Sequence, residues 1–218
     1  FNQKDENLNK VREKEFPMVF FIYDDIKVKG NKFFKKGLFK EALDHYFYAY
    51  STLKWLEHKD KDKGKKFLVE PSLDPVLDEE IEEKSIFLDA PHVEEDSYKA
   101  CIVNVLLNMT AVYMEKRNFR EAMRCMNEAS ELSEDYVPDV FFRRSQVRAY
   151  NKSSTMEDLI VAMEDIDKAM KSLEVYNERN KDNYLSKNNK KEVFLRYRED
   201  LKMIIESKIK EDNEKERR

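Results

Sequence analysis

Three glycines and five prolines are all that 218 residues hold for tight turns and special backbone angles. A sandwich, a barrel or a doubly wound sheet needs many such turns. The scarcity of breakers therefore points to long helices and an all-α fold. An apolar share of 41% and an aromatic share of 12% supply a core, whereas a disordered chain is poor in aromatics. The length suits one domain or two small ones.

Charge excludes several classes of partner. Forty-one basic residues against forty-five acidic give a net charge of -4, so no global field draws the chain to nucleic acid or an anionic membrane. The expectation is no nucleic-acid partner and no membrane partner. No apolar run approaches the roughly 18 residues of a membrane span; Met18 to Tyr23 is short and ends at Asp24 and Asp25. Cys101 and Cys125 are too few for a disulfide framework or a four-cysteine zinc site. A reducing, cytoplasmic setting follows as an expectation. No signal peptide is visible, and the opening at Phe1 suggests a fragment.

Along the chain, residues 1–17 are mostly polar and read as a linker or a frayed helix. Two helical stretches over 18–57 break at Lys36-Gly37. The second carries Leu43, Tyr46, Phe47, Tyr50 and Leu53 at helical spacing. Residues 58–94 hold a basic run, an acidic run and three prolines (Pro71, Pro75, Pro91). They read as a solvated charged insertion with room for one short helix near Leu77 to Ile86. Helices are then expected from Ser97 to Lys116, from Phe119 to Leu132 and from Pro138, where proline suits a first turn. Ser154 with Glu157 is a capping-box signature for a helix reaching about Val175. After a polar loop at 177–189, a last helix presents Val193, Tyr197, Leu201, Ile204, Ile205 and Ile209, and dissolves into charge after Lys210.

Paired helices of ordinary length prompt a search for internal repeats. Gly30 with Phe33 in one helix is followed by Ala42, Tyr46 and Ala49 in the next. Ala122, Met126 and Ala129 repeat the second part behind Thr110 and Tyr113, with Phe119 at the turn. Ala162, Ile166 and Ala169 repeat it again behind Ser145. Small residues let two helices approach closely, and larger ones fill the space beside them. Ala42 and Ala122 lie 80 residues apart, so about 46 are inserted into a repeat of about 34. That insertion is the 58–94 segment.

This pattern resembles the tetratricopeptide repeat. The resemblance implies three helix-turn-helix repeats over 18–176, stacked as a right-handed superhelix, with an extended C-terminal capping helix and charged tail in 177–218. Tyr46-Phe47-Tyr48-Ala49, followed by Leu53-Lys54-Trp55-Leu56, resembles the C-terminal domains of large FKBP-type immunophilins and of aryl-hydrocarbon-receptor-interacting-type proteins. It implies a co-chaperone module, with a prolyl-isomerase-like domain preceding Phe1 in the full protein.

In co-chaperones of this family, the first helices of the repeats carry a carboxylate clamp for the acidic C-terminal peptide of cytosolic heat-shock chaperones. Carried across, Lys27 and Asn31 match the first repeat, four apart so that both face one ligand. Asn108, two before Thr110, matches the second, and Arg143, two before Ser145, the third. The remaining position, four before Arg143, holds Asp139 where the family has lysine. An acid about 6 Å from a ligand carboxylate costs roughly 1–3 kcal/mol, which Arg144 or Lys152 would have to offset. The expected function is therefore peptide binding through a partial clamp. The alternative is a scaffold for a different partner, its clamp disabled by Asp139.

Nothing else in the sequence groups into a catalytic or metal site. His45, His58 and His92 lack ligand spacing, and the paired acids Glu94-Glu95 and Asp165-Asp167 have no base arranged with them. Cys101, Cys125 and the methionines read as core fillers. No enzyme, cofactor or metal is expected in this chain. The apolar face of the last helix offers a route to self-association.

Overall fold

The computed structural model describes residues 6–12, 16–54, 57–58, 66–69, 86–88, 95–133, 137–179 and 190–216. Its body is all-α. The helices are α1 (Glu6–Arg12), α2 (Phe16–Lys35), α3 (Phe39–Leu53), α4 (Glu95–Glu115), α5 (Phe119–Leu132), α6 (Pro138–Tyr150), α7 (Met156–Arg179) and α8 (Lys190–Glu216). The chain forms two compact units, Phe1–Val112 and Tyr113–Arg218, and α4 contributes to both. No helix among the described residues is long and apolar enough to cross a membrane.

The positions that define the internal repeat are the ones that pack. Gly30, Thr110 and Ser145 are all buried. So are Ala42, Ala122 and Ala162, each fully, together with Tyr46, Met126 and Ile166, and Ala49, Ala129 and Ala169. Gly30 shows why the residue must be small. A Cβ added there would meet the Tyr46 ring at 2.6 and 2.8 Å, inside any tolerable contact. The hydroxyls at the two equivalent positions satisfy themselves on backbone: Thr110 donates to the Leu106 carbonyl at 2.7 Å and Ser145 to that of Ala162 at 2.6 Å.

Turn chemistry repeats as well. Gly37 has φ +73°; its N–H donates to the Phe34 carbonyl, and that of Leu38 to Phe33, closing α2 as a left-handed C-terminal turn. Eighty residues later Arg117 takes φ +55°, with Arg117 N–H donating to Met114 and Asn118 N–H to Tyr113. The same turn is thus built once on glycine and once on arginine. Asn118 then caps α5, its side chain accepting from Glu121 N–H at 3.3 Å.

In the second unit, α6, α7 and α8 close on Phe141, Leu159, Ala162, Ile166, Ala169, Leu173, Phe194, Tyr197 and Leu201. Phe142 stacks on Phe194 at 4.5 Å and meets Tyr197 edge-on at 5.3 Å, a pairing that adds to the burial of each ring.

Several boundaries differ from the sequence expectations. The cap of α7 lies one residue later than expected. Thr155 N–H and Oγ1 both donate to Asp158 Oδ2 at 2.9 Å, while Asp158 N–H donates back to Thr155 Oγ1 at 3.2 Å. Ser154 is left to donate to the Arg148 carbonyl. Phe194, not Val193, is the buried residue at the head of α8 (1% against 48% exposed). Helix α7 runs to Arg179 and α8 to Glu216, past the ends expected from composition. Over 57–88, short antiparallel strands β1 (Glu57–His58), β2 (Lys66–Val69) and β3 (Ile86–Leu88) pair in that order, with Phe67 opposite Phe87, so Glu57 is in a strand and not in the helix expected to reach it. Two three-residue apolar runs of strand-forming types account for β2 and β3. Ile86 therefore ends no helix, and the rest of the helix expected at 77–86 lies outside the described residues.

Candidate functional site

Lys27 and Asn31 sit one turn apart on α2, with Tyr23 a turn before them. The Tyr23 hydroxyl donates to the Cys101 carbonyl on α4 at 2.7 Å, tying the two helices together, and burial pushes its pKa well up. Lys27 passes over the Tyr23 ring, its Nζ 5.2 Å from the centroid, and pairs with Asp24 at 2.5 Å. Its side chain is 22% exposed against 60% for Asp24. The stem is packed while the head meets a solvated acid. Such a pair contributes little, so a ligand carboxylate can replace Asp24 at small cost.

Asn31 is oriented from two directions. The Tyr46 hydroxyl donates to Asn31 Oδ1 at 2.7 Å and Asn108 Nδ2 donates to the same oxygen at 3.2 Å. Two donors on the oxygen turn the Asn31 NH2 away from them, as a donor for an acceptor outside the cluster. The chain of causes starts at Gly30. Its missing Cβ admits the Tyr46 ring against α2, and the ring carries its hydroxyl to Asn31. Desolvation pushes the Tyr46 phenol up to about 12, so it is a donor at any ordinary pH. Lys27, Asn31 and Asn108 thus belong to the first unit, and two of them share a hydrogen bond across 77 residues of sequence.

Arg143 lies on α6 in the second unit. It is partly buried and donates from Nη1 to Gln146 Oε1 at 3.1 Å. Burial lowers its pKa, while the charges of Asp139 and Tyr150 oppose that shift. Asp139 is engaged by Lys190, the first residue of α8, at 2.6 Å.

Arg144, expected as a modulator beside Arg143, is committed to the core. Its Nη2 and Nε donate to the two oxygens of Asp165 at 2.5 and 3.0 Å, and its Nη1 to Ser130 Oγ at 3.0 Å. Arg148 adds a contact to Asp165 at 3.3 Å. Asp165 is 1% exposed, not the surface acid its charged neighbours suggest. Its place three after Ala162 and four before Ala169 already sets it on the buried face of α7. Asp167 instead pairs with Arg198 at 2.7 Å.

The remaining sequence candidates have structural roles or lie outside the described residues. His45 Nδ1 donates to the Glu41 carbonyl at 2.8 Å, and its ring lies 4.9 Å from Phe33. Cys101 and Cys125 are not joined in a disulfide, and burial raises the Cys101 pKa. His92 and Glu94 lie outside the described residues, as do Trp55 and Leu56. Among the described residues no group of three or more His, Cys, Asp and Glu is placed to hold a metal ion.

Sequence reasoning did not single out Tyr46 as the residue that orients Asn31, nor Lys190 as the partner of Asp139. The first was legible as the aromatic of the repeat; the second has no spacing signal, being 51 residues from Asp139. No protein-family model matches the chain, and no curated protein matches it.

Proposed function

We propose that the chain is a peptide-binding module of the tetratricopeptide type, a non-enzymatic cytoplasmic co-chaperone domain that recognises the acidic C-terminal tail of a heat-shock chaperone. In this reading its three helix pairs are the repeats and α8 is the closing helix. Lys27, Asn31 and Asn108 serve the terminal carboxylate of the ligand, and Arg143 an acidic side chain. The observation that carries the reading is the shared oxygen of Asn31. Two asparagines from distant parts of the sequence meet there, one turn from Lys27, which pairs with the solvated Asp24. Amides held in fixed orientation beside a cation are what a carboxylate needs for charge-assisted hydrogen bonds.

The reading is tested by titrating the chain with a fluorescent peptide ending Met-Glu-Glu-Val-Asp, as the free acid and as the C-terminal amide. Micromolar binding that weakens with salt, and is lost on amidation and in Lys27→Ala, supports it. Equal binding of acid and amide overturns it.

A further inference from the structure

We infer that Lys190 is the counter-ion that masks Asp139 and so keeps Arg143 available to an acidic ligand; the inference rests on the peptide-binding reading above. Asp139 and Arg143 lie four apart on α6, on one face of the helix. An acid so placed is the natural partner of the guanidinium and repels a carboxylate approaching it. The structure shows a different pairing. Arg143 Nη1 donates to the neutral amide of Gln146 at 3.1 Å, while Asp139 is taken at 2.6 Å by Lys190 from α8.

The pair does not owe its importance to stability. Asp139 and Lys190 side chains are 41% and 51% exposed, and exposed pairs contribute little. What the pair decides is the charge a ligand meets. Arg143, Asp139 and Lys190 together carry +1, whereas Arg143 and Asp139 alone carry none. The closing helix therefore supplies, from outside the repeat, the cation that the reversal at Asp139 removed. Lys190 is a specificity-determining residue acting through Asp139.

The test measures affinity for the free-acid Met-Glu-Glu-Val-Asp peptide in wild type, Lys190→Ala, Asp139→Ala, the double variant and Arg143→Ala. Thermal melts serve as the folding control. Lys190→Ala exposes an uncompensated acid one turn from Arg143 and weakens binding about tenfold. Asp139→Ala binds as well as wild type or better. The double variant returns to within about twofold of wild type, because the acid that needed masking is gone. Wild-type affinity in Lys190→Ala overturns the inference, as does a double variant as weak as Lys190→Ala. Wild-type affinity in Arg143→Ala also overturns it while leaving peptide binding through Lys27 standing. Absence of any wild-type binding overturns both.

Discussion

The Tyr46 hydroxyl donates to Asn31 Oδ1 at 2.7 Å, and so a residue whose ring packs the helix pair also sets the direction of an amide on the candidate site. Tyr46→Phe keeps the ring and removes the donor. It is expected to cost about 1 kcal/mol in a denaturant titration and to weaken carboxylate-peptide binding, because Asn31 then has only Asn108 to orient it.

Tyr46 also carries a pH signature. Its phenol is raised by burial from 10 to about 12. The unfolded chain therefore releases this proton first as pH rises. The contribution is fully present below pH 10 and is lost between pH 10 and about 12. Burial shifts Tyr23 and Tyr197 in the same direction, so Tyr46→Phe should reduce the alkaline loss of stability without abolishing it. A pH series of urea midpoints for the two proteins measures the difference.

Gly30→Ala sets two effects against each other. In an open helix the change gains up to about 1 kcal/mol. Here the new methyl meets the Tyr46 ring at 2.6 Å, and overpacking of that kind costs about 1–3 kcal/mol. The clash wins, and a loss of stability is expected, together with weaker peptide binding as Tyr46 is displaced from Asn31.

The two equivalent turns predict opposite signs. Arg117 holds φ +55° with a side chain, where glycine is favoured by about 1 kcal/mol. Arg117→Gly should raise the melting temperature. Gly37→Ala at φ +73° meets no atom within 4 Å, so its cost is backbone strain alone and its melting temperature should fall by a similar amount.

Asp165 is buried between Arg144 and Arg148. Asp165→Ala leaves the Arg144 guanidinium, 17% exposed, without its counter-ion, and breaking such a pair costs about 3–5 kcal/mol. Thermal denaturation checks this. A fall in melting temperature no larger than that of a surface substitution would show the network to be dispensable.

Helix pairing was legible because its signal is local. Ala42 and Ala49 and their counterparts recur seven apart, each behind a small residue (Gly30, Thr110 or Ser145) in the preceding helix, and all of them pack. Ambiguity entered where two residues satisfy one template. Ser154 with Glu157 and Thr155 with Asp158 both fit a capping box, and only the bonds formed decide between them. Val193 and Phe194 lie four and three before Tyr197, so periodicity admits both. The larger aromatic is the one buried. Among the candidate residues, Lys27 and Asn31 were visible as an i, i+4 pair. The Lys190–Asp139 contact joins residues from separate helices, and nothing in the sequence between them encodes it.

Whether the chain is a carboxylate-binding module turns on which side chains meet the ligand. The most direct measurement is a ¹⁵N-resolved NMR titration of the side-chain amides with the Met-Glu-Glu-Val-Asp peptide, as free acid and as amide. The Asn31 and Asn108 NH2 resonances are expected to shift with the free acid and stay fixed with the amide. Shifts confined to other residues, or the same Asn31 and Asn108 shifts with both peptides, would contradict the carboxylate-binding reading.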